Sequence, residues 1–148
     1  MKGRKPDLHN VIPMKGDMIA APVPDAPEWM TEKAREVWGE LAGILVTKDR
    51  LRPEYAYQFA SYCESVANFY NATAVLAVEG YYFETETRNG RQQKKRAMWS
   101  VQQESLSAMT RLSALFGLSP VDDARLKSGG GQGDLFDRLM EQLKNGSG

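Results

Sequence analysis

Apolar residues recur at three- and four-residue steps through "WMTEKAREVWGELAGIL": Ala34, Val37, Trp38, Leu41, Ile44 and Leu45. That spacing predicts an amphipathic helix with one buried stripe. Thr31 is placed to cap it, and Glu32 in the first turn suits the helix dipole. "VTKDRLRPE" breaks the pattern, and Pro53 fits an early position of the next helix. A long helix is predicted from about Arg52 to about Glu79, with Gly80 ending it. Ala56, Phe59, Tyr62 or Cys63, Val66, Tyr70, Thr73 and Ala77 lie near one face. Such a helix is roughly 40 Å long, more than the first helix can cover. Tyr55, Tyr57, Phe69 and Leu76 fall on other faces. With Tyr70, they are the expected contacts to another helix or another subunit.

The period then changes from helical to alternating. "YYFETETRNGRQQKKR" alternates over Tyr82–Thr87, and Asn89-Gly90 is a strong hairpin signal. A two-stranded hairpin is predicted over about 81–96, with a type I′ turn. It is marginal by itself and needs helices or neighbouring subunits to pack on. A third helix is predicted over about Ala97–Phe116, with Trp99, Gln102 or Gln103, Leu106, Met109, Leu112 or Ser113, and Phe116 as its stripe. Gly117 is the expected residue just past its end. Ser119 and Pro120 then start a short turn through "VDDARLK". "SGGGQG" reads as a linker over 128–133. Beyond it, "DLFDRLMEQLK" is expected to form a last amphipathic helix within 134–148, capped by Asp134, with Leu135, Phe136, Leu139, Met140 and Leu143 on one face. The fold class is mainly α: three main helices and a small hairpin over 31–127, flanked by an N-terminal arm and a C-terminal helix.

Composition sharpens the picture at the ends. Five of the seven prolines lie in residues 1–30, so that stretch is expected to be a flexible arm. The 148-residue chain has 19 basic and 19 acidic residues. Charge is nevertheless displayed unevenly. Lys2, Arg4, Lys5 and Lys15 face only Asp7 over residues 1–15, a net +3. Arg88, Arg91, Lys94, Lys95 and Arg96 face Glu84 and Glu86 in the hairpin, again +3. The arm reads equally as a nucleic-acid contact or a solubilising tail. The hairpin reads equally as a phosphate contact or a strand edge blunted by charge.

Catalytic chemistry is sparse. His9 is the only histidine and Cys63 the only cysteine, so no zinc site can be assembled from them. Cys63 sits in an apolar helical pattern and is expected to be buried and inert. No glycine loop is followed by Lys-Ser or Lys-Thr. Asp122-Asp123 is expected to be surface charge rather than a magnesium site. No enzyme and no cofactor is expected. A transmembrane helix and a secretory signal are not expected either. A single cysteine without an export signal points to a reducing interior.

Several elements, taken in order, resemble the small terminase subunit of tailed double-stranded DNA bacteriophages. Gly3-Arg4-Lys5-Pro6 and "PVPDAPEWM" match the start of one branch. Ala34, Trp38, Leu41 and Leu45 match its first helix. Asp49, Leu51 or Tyr55, and Tyr62 match the next step. Phe116-Gly117-Leu118-Ser119-Pro120 with Arg125 match its "FGLTP…R" box, with Ser119 where Thr is commoner. "KKRAMWS" departs from the Asn-Pro or His-Pro pair often found before the third helix. The resemblance implies a non-enzymatic packaging factor of the host cytoplasm that binds viral DNA. It implies rings of about eight to eleven copies that recruit and regulate the large terminase subunit, an ATPase and nuclease. The tail helix is then expected to dock on that large subunit, or to fold back on its own ring. A dimeric helical transcriptional regulator is the alternative, with Arg35, Lys48 and Arg52 as possible base readers.

Overall fold

A computed structural model of the chain describes residues 21–128. Helix α1 spans Glu32–Thr47 and α2 spans Ala56–Glu79, preceded by a 3-10 turn at Pro53–Tyr55. Strands β1 (Tyr82–Thr87) and β2 (Gly90–Lys95) form an antiparallel hairpin that leads into α3, Ala97–Leu115. A final helix, α4, occupies 120–128. The expected mainly helical class with one hairpin is therefore what the chain adopts.

Local chemistry sets most of the boundaries. Thr31 caps α1 through its Oγ1, which accepts from the Ala34 amide. Glu64 on α2 accepts from both the Thr31 amide and its hydroxyl, at 2.6 and 3.0 Å, which ties the start of α1 to α2. Pro53 opens the turn that becomes α2, and Gly80, at φ 78°, closes the helix. Ser119 Oγ accepts from the Asp122 amide at 3.1 Å and donates to the Asp122 carboxylate at 2.6 Å. This cap starts α4 as the Ser-Pro pair predicts.

The core gathers Trp38 and Leu45 from α1, Phe59 and Cys63 from α2, Leu51 from the connection, and Phe116 from the end of α3. Phe59 is fully buried, with ring centroids 4.8 Å from Trp38 and 5.3 Å from Phe116. The Pro-rich stretch lies partly on this core rather than wholly in a free arm. Trp38 donates its indole N–H to the Pro24 carbonyl, and Met30 is buried.

Two helical faces differ from the expected stripes. Ile44 of α1 is exposed, while Ala42 takes an inward place. On α3 Gln102 of the expected stripe is inward, but Ser105 joins it and Leu106 is exposed. Small and polar groups let α3 lie along the Ala72–Leu76 part of α2, and Gln102 donates to Thr73 Oγ1 at 2.9 Å. Leu76, expected to meet another helix or another subunit, meets a helix of its own chain. It is only 1% exposed, because α3 returns antiparallel and covers it. The hairpin turn also differs. Positive φ falls on Gly90 alone, at 103°, and not on Asn89. A type I turn closed by a glycine bulge matches this better than type I′.

Candidate nucleic-acid interface

The hairpin has two chemically distinct faces because strand side chains alternate. Tyr82, Glu84 and Glu86 share one face with their partners Lys95, Gln93 and Arg91. Phe83, Thr85 and Thr87 share the other with Lys94, Gln92 and Gly90. The first face is internally neutralised and anchored. Arg91 lies 3.8 Å from Glu84 and 3.9 Å from Glu86. Lys95 Nζ stands 3.7 Å from the Trp99 ring centroid, and Tyr82 meets the same indole edge-on at 6.2 Å.

At the hairpin's base, Arg96 donates to the Glu79 carbonyl at 3.1 Å and pairs with its carboxylate at 3.2 Å. Its guanidinium also covers Phe83. The five hairpin cations expected as a group are thus divided. Arg91, Lys95 and Arg96 have partners. Arg88 at the turn and Lys94 on the Phe83 face have no ion-pair partner among the described residues. Sequence reasoning missed this division, although the period of two and the Glu-x-Glu spacing hold the signal for it.

The other candidates fall in three groups. Lys2, Arg4, Lys5 and Lys15 lie outside the described residues, as do Leu135, Phe136, Leu139, Met140 and Leu143. Tyr55, Tyr57 and Tyr70 are exposed, with Lys33 over the Tyr70 ring; Phe69 is half-buried and Leu76 is interior. The possible base readers of the regulator alternative are engaged inside the chain. Arg35 donates to the Glu28 carbonyl, Lys48 faces Asp123 at 3.9 Å, and Arg52 pairs with Asp49 at 2.9 Å.

A second polar centre went unforeseen. The Arg50 side chain is only 10% exposed. Its Nη1 donates to the carbonyls of Gly117 at 3.1 Å and Phe116 at 3.4 Å, and its Nη2 lies 2.6 Å from Asp123 Oδ1. That contact is an ion pair off the hydrogen-bond direction, since Oδ1 has no well-aligned donor. Lys127 pairs with the other carboxylate oxygen at 2.8 Å. The adjacent Lys127 ammonium, then the Arg50 guanidinium, holds the Asp123 carboxyl down at about 2.

Asp122 caps α4 and pairs with Arg125. The two aspartates expected as plain surface charge are therefore structural. Arg50, not Arg125, grips the Phe-Gly-Leu-Ser-Pro box. Beside this knot lies a cleft of about 590 Å³, lined in part by Lys48, Tyr55, Gln58, Leu115 and Lys127. Its lysines already serve Asp123. Cys63 is buried, and burial pushes its thiol up to about 12, so it is protonated and inert as expected.

Among the described residues no group of His, Cys, Asp and Glu is arranged to hold a metal, and no helix is long and apolar enough to cross a membrane. No curated protein and no solved structure matches the chain. Residues 34–132 match the family model described as phage terminase, small subunit. That span runs from the first turn of α1 through the hairpin, the Arg50-gripped box and α4. The chain belongs to the small-subunit family of phage terminases, which serves the packaging of phage DNA.

Proposed function

We propose that this chain assembles into a closed ring of about eight to eleven copies, binds viral DNA and recruits the large terminase subunit in the host cytoplasm. Helix α3 carries the assembly part of this reading. It turns Gln102 and Ser105 inward and leaves Val101, Leu106 and Leu115 exposed. On a helical wheel Val101 and Leu115 lie on one flank of the buried seam, and Leu106 lies on the other. A head-to-tail ring needs two different sticky surfaces on each subunit, and two apolar flanks supply them. Tyr57 and Tyr70 extend the exposed apolar area on α2. Aspartate at both Val101 and Leu115 should convert the assembly to monomers in sedimentation. Assembly of that variant as in wild type would refute the role of α3.

The arm residues Lys2, Arg4, Lys5 and Lys15 concentrate positive charge when many copies gather, and weak contacts then add through multivalency. Deleting residues 1–15 should weaken DNA binding and flatten its salt dependence while the assembly persists. The segment with Leu135, Phe136, Leu139, Met140 and Leu143 is the contact to the large subunit. At eleven residues it is too short for a stable lone helix and gains order on docking. Truncation after Lys127 should abolish stimulation of the motor and spare DNA binding.

A further inference from the structure

We propose that one face of the hairpin, bearing Phe83, Thr85, Thr87, Gln92 and Lys94 with Arg88 at the tip, is a docking face for double-stranded DNA. The inference rests on the DNA-binding role proposed above and assigns it to one surface. Alternation puts both hairpin carboxylates, Glu84 and Glu86, on the opposite face, where Arg91 meets them. The Phe83 face has no acidic residue. Its cation Lys94, and Arg88 in the turn, have no ion-pair partner among the described residues, so both remain available to phosphates.

The same face is only partly covered: Phe83, Gln92 and Lys94 are exposed, Thr85 and Thr87 are half-buried, and the Arg96 guanidinium lies over the edge of the face at Phe83. The hairpin is fastened at its base by Trp99, against Tyr82 and Lys95, which belong to the other face. Arg96 on Glu79 holds the exit strand. Two six-residue strands make a ribbon of about 20 Å, and a two-stranded ribbon is an element the DNA major groove admits. Thr85 sits directly across from Gln92. A hydroxyl and an amide there are groups able to meet base edges once Lys94 and Arg88 hold the backbone. A protein partner would be served by a broader apolar surface than Phe83 provides.

The test compares two charge-matched double variants of the full chain. R88Q/K94Q removes two cations from the proposed face and the tip. R91Q/K95Q removes two from the opposite face. Binding to a labelled duplex of about 30 base pairs, three helical turns, is followed by anisotropy over a salt series. R88Q/K94Q should lose at least tenfold in affinity, and its log–log salt slope should fall by about 1.8 for each subunit engaged on the duplex, two phosphate contacts at ~0.9 each. R91Q/K95Q should bind like wild type.

Equal losses in both variants would overturn the face assignment and leave only diffuse charge. An unchanged R88Q/K94Q on a wild type that binds DNA would overturn it and leave DNA binding to the arm. An altered oligomeric state without altered DNA binding would make the face a subunit contact. Failure of the wild type to bind duplex would instead refute the underlying DNA-binding role.

Discussion

Replacing Gly117 with alanine should destabilise the protein by about 3 kcal/mol. Gly117 has φ +63°, the left-handed region, where a Cβ costs roughly 1–2 kcal/mol. The added carbon would also meet Arg50 Nη1 at 2.6 Å and Leu126 Cδ1 at 2.9 Å. The guanidinium must therefore retreat from the carbonyls it now serves. Hydrogen bonds with a charged donor are worth roughly 1.5–3 kcal/mol, and part of that is lost.

The control is the same substitution at Gly39. That residue lies inside α1, and a Cβ there meets nothing within 4 Å. Alanine should stabilise that helix by up to ~1 kcal/mol. Urea unfolding at one fixed protein concentration reads both values, since assembly makes stability concentration-dependent. If the two variants shift in the same direction, or Gly117→Ala costs less than ~1 kcal/mol, Arg50 does not fasten the box as described.

Phe59→Ala should cost about 3–5 kcal/mol in the same unfolding assay, because a fully buried ring between Trp38 and Phe116 is lost. Asp123 is held below its ordinary value, to about 2, so its contribution is full above about pH 4 and fades as pH falls towards 2. Asp123→Asn should be less stable near neutrality and show a weaker loss of stability over that acid window, measured by unfolding at each pH. Cys63 should resist iodoacetamide in the folded protein and react once urea unfolds it, followed by mass.

Much of the architecture was legible because it rests on local rules. Thr31, Pro53, Gly80, Gly117 and Ser119 each mark a boundary through their own backbone or capping chemistry. What was hidden depends on which helix lies next to which. The expected α3 stripe held Gln102 or Gln103 together with Leu106, yet the α2–α3 seam uses Gln102, which bonds Thr73, and Ser105, which bonds the Val101 carbonyl of its own helix, while Leu106 faces outward; such pairing is invisible to periodicity. Leu76 looked surplus for the same reason. Arg50 was missed because its partners are backbone carbonyls 66 and 67 residues away, which no motif marks. In the hairpin the total charge was legible. Its division between faces needed the register, and the turn type needed the dihedral at Gly90.

The central claim is that the apolar flanks of α3 are there to be covered by further copies of this chain. Native mass spectrometry of the full-length protein tests it most directly. The account predicts one closed species of about eight to eleven subunits, reduced to monomer when Val101 and Leu115 both become aspartate. A wild-type protein that remains monomeric at micromolar concentration would contradict it.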